Sequence, residues 1–235
     1  MVICWLKQHT FSVLLPCQQI TKRTVVYNVM VIPQHRQRFL KGWFSSTASQ
    51  VSRAAVTLQN QATPPPELLE AVSHHELLLA RSFMKVTGRE LVPGLGKAEL
   101  AGKGAIARAH AAIWGAKVCI LSHGTELPWP VMNYANAAAL HVFEISSWSE
   151  LLAMESRRTA PPSWHENRNE LLEQVKRFGY VDKYSGTRVS SNGRFFKIER
   201  AVVWEVHCPR TGERHGQGAI FEPPTDDQPM PEAPE

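Results

Sequence analysis

Residues 180–206, YVDKYSGTRVSSNGRFFKIERAVVWEV, followed by HGQGAIF at 215–221, decide the fold of this chain. They read as three consecutive antiparallel strands. Asn192-Gly193 tolerates positive φ at both positions, which predicts a two-residue type I′ turn between the first two strands. Setting Ser191 opposite Arg194 then pairs Val189 with Phe196, Thr187 with Ile198 and Ser185 with Arg200. In the second strand, alternation sends Phe196, Ile198, Val202, Trp204 and Val206 one way and Lys197, Glu199 and Glu205 the other. That pattern describes a sheet with one face on a core. A four-residue connection, Pro209 to Gly212, places Cys208 opposite Glu213. Carried along the strands, this register sets Trp204 opposite Gln217.

Charge divides the chain. Lys7, Lys22, Arg23, Arg36, Arg38, Lys41 and Arg53 precede the first acidic residue, Glu67, and the remaining nineteen basic residues face twenty-one acidic ones. The sequence pI near 9.1 therefore belongs to residues 1–62. An acid-free basic leader of this kind has the composition of an organellar transit peptide, for a plastid or a mitochondrion. A misassigned start, with Met30 as the alternative, leaves a cytoplasmic protein. Beyond the leader no basic stripe suggests nucleic acid. No apolar run reaches the ~20 residues that span a bilayer. Cys4, Cys17, Cys119 and Cys208 form no disulfide framework and read as reduced thiols.

Thr63 to Pro66 forms a stiff linker. A helix is expected from about Glu67 to Val86 with Gly88 as its C-cap, and a second from Glu99 to Trp114, so that residues 67–116 make a helical region. The core follows at 117–222. KVCILS at 117–122 and WPVMN at 129–133 read as strands. Asn133 caps a short helix ending at Phe143, and Ser147 with Glu150 and Ser163 with Glu166 form capping boxes for two more. The second of those helices presents Leu171, Leu172, Val175 and Phe178 and stops at Gly179. Residues 223–235 are Pro-rich, acidic and expected to be disordered.

Strand, strand, several short helices and a three-strand meander form an α+β arrangement with PAS-like connectivity: a five-stranded antiparallel sheet with helices inserted between strands 2 and 3, plus N-terminal helices. The wording goes further. SHGTELPWPVMNYANAAALHVFE, SRRTAPP, GYVDKYSGTRVSSNGRFFKIERAVVW and HGQGAIF, in that order, closely resemble the MEKHLA domain over about residues 75–221. That family looks PAS-related and occurs alone or at the C-terminus of plant class III homeodomain-zipper transcription factors. This chain lacks the homeodomain, zipper and lipid-binding START region of those factors, so their activity is not implied.

The resemblance implies a ligand pocket. In PAS domains a glutamine near the position of Gln217 can hydrogen-bond a ligand, and Gly216 and Gly218 would leave space beside it. The bland alternative is a buried amide satisfied by the backbone. Trp204 shares the expected inner face, as does Arg200, which either meets an anionic ligand or closes over a carboxylate such as Glu166. Asn133 and Asn136 fit the family's Asn-Tyr-Ala-Asn run and cap a helix, with ligand contact as the alternative for Asn133. Tyr184 completes the tentative ligand set of Gln217, Arg200, Trp204, Asn133 and Tyr184.

Cofactor signals are weak. RRTAPPSWHENR, before the meander, lacks the reactive cysteine of flavin photochemistry. His165 is one isolated candidate haem ligand. His207, Cys208 and His215 supply three ligand types without a fourth at zinc spacing, and no metal is expected. Gly102-Lys103-Gly104 is no phosphate loop, and His74-His75-Glu76 lacks the second histidine of a zinc protease helix. The expected function is non-enzymatic sensing or regulation, through a small molecule, a protein partner or a homodimer. The cofactor is left unknown. A small isomerase-type enzyme using Gln217, Arg200 and Tyr184 or His123 is the alternative.

Overall fold

The computed structural model describes residues 63–225, and within them the side chains of all but 164–167. The leader and the last ten residues, with the expectations that fall on them, lie outside the described residues.

Helix α1 (Pro66–Thr87) takes Pro66 as its first residue, one position into the expected linker. Proline is tolerated there because the first helical N–H has no intrahelical acceptor to lose. Val72, Leu79 and Phe83 face inward, together with His75 and Glu76. The helix ends at Gly88, whose φ of 72° lets its N–H donate to the Met84 carbonyl at 2.9 Å. Helix α2 (Ala105–Trp114) is shorter than the Glu99 start expected from its alanines. Gly102 and Gly104 adopt positive φ, and Arg108 gathers the carbonyls of Glu99, Ala101 and Lys103 at 3.0, 2.9 and 3.2 Å. Those carbonyls are satisfied by a side chain instead of by another helical turn.

Strands β1 (Cys119–His123) and β2 (Met132–Ala135) lead into α3 (Ala137–Val142), α4 (Trp148–Ala153), two 3₁₀ turns at Ser156–Thr159 and Pro162–Trp164, and α5 (His165–Phe178). Strands β3 (Tyr180–Val189), β4 (Phe195–His207) and β5 (Arg214–Phe221) close a five-stranded antiparallel sheet of order β2-β1-β5-β4-β3. This is the PAS-like connectivity expected from the sequence. Asn136, not Asn133, caps α3. Its Oδ1 accepts from the N–H groups of Ala139 (3.1 Å) and Ile120 (3.0 Å), and its Nδ2 donates to the Val118 carbonyl at 2.9 Å.

The strand registers differ from the expected ones at three places. The β3–β4 loop has three residues, Ser191 to Gly193. Gly193 N–H donates to the Ser190 carbonyl (3.0 Å), and Ser190 pairs across to Arg194, so Val189 meets Phe195 and Thr187 meets Lys197. Only Gly193 takes positive φ, at 85°. The turn is thus type I followed by a left-handed glycine, the usual three-residue alternative to a type I′ pair. Further along, Lys183 and Arg200 both adopt left-handed φ (58° and 52°) where β3 and β4 slip past each other. In β5, His207 pairs with Arg214, but Val206 pairs with Gly216. One residue is thereby extruded at His215, and Glu205, rather than Trp204, lies opposite Gln217.

Helices cover both faces of the sheet. On one, Phe83 of α1 meets the Trp204 ring edge-on at 5.0 Å. Ser82 Oγ donates to the Glu205 carbonyl (3.2 Å) and accepts from His207 N–H (3.0 Å). On the other, Leu171 and Val175 of α5 pack on Val203. Ala201 through Val206 are consequently all buried, and the expected alternation between core and solvent does not hold there. Among the described residues no helix is long and apolar enough to cross a membrane.

Candidate functional site

A cavity of about 60 Å³ lies between α5, the Ser156–Thr159 turn and the sheet face that carries Val203. Its floor comes from Leu121, Ile198, Val203, Ala219 and Phe221, and its polar groups are His123, Ser156, Thr159, Arg168, Arg188 and Gln217. These residues come from four different strands, a turn and a helix, and the bulges decide which side chains turn toward the cavity.

Of the tentative ligand set only Gln217 lines this space, joined by His123 of the enzyme alternative. Gln217 is 2% exposed, and its Nε2 donates to Glu205 Oε1 at 2.5 Å and to the Leu172 carbonyl at 3.3 Å. Glu205 is held in turn by Arg214, through Nε at 2.5 Å and Nη2 at 3.4 Å. The amide is satisfied as the bland reading anticipated, although by a carboxylate as well as a carbonyl.

The other expected residues lie elsewhere. Arg200 is exposed, because its left-handed backbone breaks the alternation that would have turned it inward. Trp204 is fully buried on the α1 face, on the opposite side of the sheet from Gln217. Nor do the glycines beside Gln217 leave room for a ligand. A Cβ at Gly218 would strike the Trp204 ring, and one at Gly216 would strike the His123 carbonyl oxygen. Asn133 belongs to the α1 side as well, where its Oδ1 accepts from Ser122 Oγ at 2.6 Å. Tyr184 stands behind the cavity wall. Its ring lies over Gly186, where a Cβ would collide with the phenol, and the Arg188 guanidinium sits 5.2 Å from the ring centroid.

Arg168 and Arg188 are the residues that sequence reading missed. Each is 8% exposed. Arg168 Nη2 donates to Ser156 Oγ at 3.0 Å. Arg188 Nη1 donates to its neighbour's carbonyl, Thr187 O, at 2.8 Å and to Tyr184 Oη at 3.4 Å. Among the described residues neither makes an ion pair with a carboxylate. Burial, reinforced by the charge of Arg188, pulls the Arg168 pKa down to about 10, against a smaller opposing influence of Tyr184. At neutral pH the Arg168 guanidinium is still charged. A signal existed for Arg188, which the true register places opposite the inward Phe196; one residue of slip turned it outward on paper.

His123 pairs with Gln217 across β1 and β5. Its Nδ1–H donates to the Gly124 carbonyl at 2.9 Å, which fixes the neutral tautomer and leaves a bare, buried Nε2 without a hydrogen-bond partner. Burial is the main reason that its pKa falls to about 4; the Gly124 bond and a weaker interaction with the Gln217 side chain, too poorly aligned for a full hydrogen bond, oppose this, and Arg168 and Arg214 add to it.

A second polar cluster lies beneath α1. Glu76 is fully buried, accepting from Tyr134 Oη and from His110 Nδ1, each at 2.7 Å, and burial raises its pKa. Nearby, His75 Nε2 and Ser122 Oγ are 2.9 Å apart. Ser122 gives its only proton to Asn133, so His75 Nε2–H must donate to Ser122. Burial, and secondarily His215, hold the His75 pKa at about 4.

The model of the MEKHLA domain matches residues 73–224, well over half of the chain. Among solved structures, the PAS domain of a protein from Colwellia psychrerythraea is similar at 12% identity, covering 51% of this chain and 96% of that one with a TM-score of 0.43. A PAS domain from a two-component sensor histidine kinase gives 20% identity, 50% and 93% coverage and a TM-score of 0.39. An RNA-binding light-oxygen-voltage receptor gives 19% identity and a TM-score of 0.42, with 58% of this chain covering 36% of that one. At these scores the likenesses decide neither ligand nor output. No curated protein matches the chain. The matched residues include both helix-covered faces, all five strands and every wall of the cavity, and the chain belongs to the MEKHLA domain family.

Proposed function

We propose that this protein is a non-enzymatic sensory module whose input is a small molecule held between α5 and the sheet, and whose output is a changed affinity for a protein partner or a second copy. The observation that carries this reading is the concentration of buried polar groups around one cavity, Arg168, Arg188, Gln217 and His123 among them. Such groups are costly to bury without a partner, and a bound molecule would supply one. A ligand that prefers one arrangement of α5 over another would shift their populations by its differential affinity. The enzyme alternative gains no support from the His75–Ser122 pair. There the histidine donates to the hydroxyl, so it has no lone pair directed at the serine proton and cannot act as its base.

The test begins with native mass spectrometry of the full chain, followed by a thermal-shift screen of metabolites. A ligand should raise the unfolding midpoint of the wild type and fail to do so in Ala219→Leu, which adds three carbons at the cavity floor. If no molecule co-purifies and none across the screen moves the wild-type midpoint, the sensory reading falls.

A further inference from the structure

Two buried guanidinium groups line one cavity, and among the described residues no carboxylate is set against them. A charge removed from water costs several kcal/mol unless it is paired. Here Arg168 has only a serine hydroxyl, and Arg188 a carbonyl, a phenol oxygen and an aromatic face. Glu205, a buried carboxylate bonded to the Gln217 amide, already serves Arg214 and does not line the cavity. The charge of Arg188 disfavours that of Arg168, since like charges repel across a dry space. Among the described residues neither guanidinium has an anionic partner, and a bound anion would supply one.

We propose that the cavity receives a small organic carboxylate, with its charge taken by Arg168 and Arg188 and its other polar atoms by His123 and Gln217. This rests on the ligand-binding reading above and names the class of ligand. Guanidinium groups match the planar carboxylate with forked, charge-assisted hydrogen bonds. His123 and Gln217, paired across β1 and β5, add polar side chains to the cavity wall. Size limits the choice. About 60 Å³ holds roughly four to six water-sized groups, enough for a short hydroxy acid and far too little for a flavin or a haem.

The probes are acetate, lactate and inorganic phosphate, titrated into the full chain at ionic strength held constant with sodium chloride, with the unfolding midpoint as the readout. Lactate should raise the wild-type midpoint by about 5–10 °C at a hundredfold excess over half-saturation, and acetate should do so only at higher concentration. In Arg168→Met and in Arg188→Met the shift should vanish. Their unliganded midpoints should not fall, because each substitution removes an unpaired buried charge. Arg168→Lys and Arg188→Lys, which keep the charge, should retain part of the response and serve if a Met variant does not fold. The proposal is overturned if both carboxylates act no better than chloride, if phosphate alone acts, or if the lactate shift survives in both Met variants. A neutral molecule that co-purifies equally with wild type and Met variants would overturn it and leave the sensory reading standing.

Discussion

Replacing Gly218 with alanine tests the register on which the whole site depends. A Cβ built there lies 2.5 Å from Cζ2 and 2.6 Å from Cη2 of Trp204, well inside any observed contact. The indole cannot easily retreat, because it is fully buried with Phe83 against it at 5.0 Å. Overpacking of this severity belongs in the upper part of the ~1–3 kcal/mol range for an added methyl in a filled core. Reduced freedom of the unfolded chain returns about 0.5 kcal/mol, which leaves a net loss of roughly 2 kcal/mol. For a domain of this size that lowers the midpoint by about 4–8 °C, measured by circular dichroism, with urea titration giving the free energy. In a Trp204→Phe background the clashing ring atoms are gone, and the same substitution should cost less than ~0.5 kcal/mol. The register expected from uninterrupted alternation would set Gly218 opposite Val203, away from the indole. A neutral or stabilising Gly218→Ala, or an equal cost in the phenylalanine background, would refute the bulge at His215 and the assignment of Gln217 to the cavity face.

Three further outcomes are expected. His75 has a folded pKa of about 4 against the ordinary 6.5 of an exposed histidine, so its contribution to stability is whole above pH 6.5 and is lost as pH falls toward 4. By pH 5 that loss is about 2 kcal/mol. Glu76, whose pKa is raised, works in the opposite sense, so the comparison should be between wild type and His75→Gln, in which the decline from pH 7.5 to 5 should shrink. An unchanged decline would place the titrating group elsewhere. Asn136→Ala strands two N–H groups and the Val118 carbonyl in the interior and should cost about 3 kcal/mol or more, whereas Asn133→Ala should cost roughly 1 kcal/mol. Equal costs in urea titration would contradict the assignment of the cap to Asn136. Arg200→Ala should leave the lactate response of the wild type intact, since Arg200 is exposed outside the cavity; loss of that response would restore it to the site.

Much of the architecture was legible because it depends on signals a few residues long. The apolar stripe of α1 and its stop at Gly88, the cap at Ser147, the end of α5 at Gly179 and the order of five strands all follow from local chemistry. The candidate site was less legible because it depends on parity over long spans. A β-strand has a period of two, so a single extruded residue reverses every side chain beyond it. Three such slips occur: at the Ser191–Gly193 loop, at Lys183 with Arg200, and at His215. None has a distinctive sequence signature. Asn192-Gly193 serves a two- or a three-residue loop equally well, and left-handed Lys183 and Arg200 have no local residue preference behind them.

The burial pattern that should have revealed those slips is absent for a physical reason. Where a sheet has one wet face, a reversal of parity shows as a polar residue in the core. In β4 the stretch Ala201–Val206 is buried on both sides, against α1 through Trp204 and against α5 through Val203. Apolar residues suit either face there, so the sequence reads the same in both registers. Only polar residues can break the tie, and they do so by their partners. Glu205 is buried in the middle of that run, and in the true register it meets the Gln217 amide and Arg214. In the expected register it would face away from Gln217, a buried carboxylate without that amide. Satisfaction of Glu205 therefore selects the bulge at His215. The same bulge turns Trp204 toward α1 and Gln217 toward the cavity, while the β3–β4 loop gives that cavity Arg188. A buried charge that must find its partner is thus what fixes the side of the sheet on which a ligand can bind.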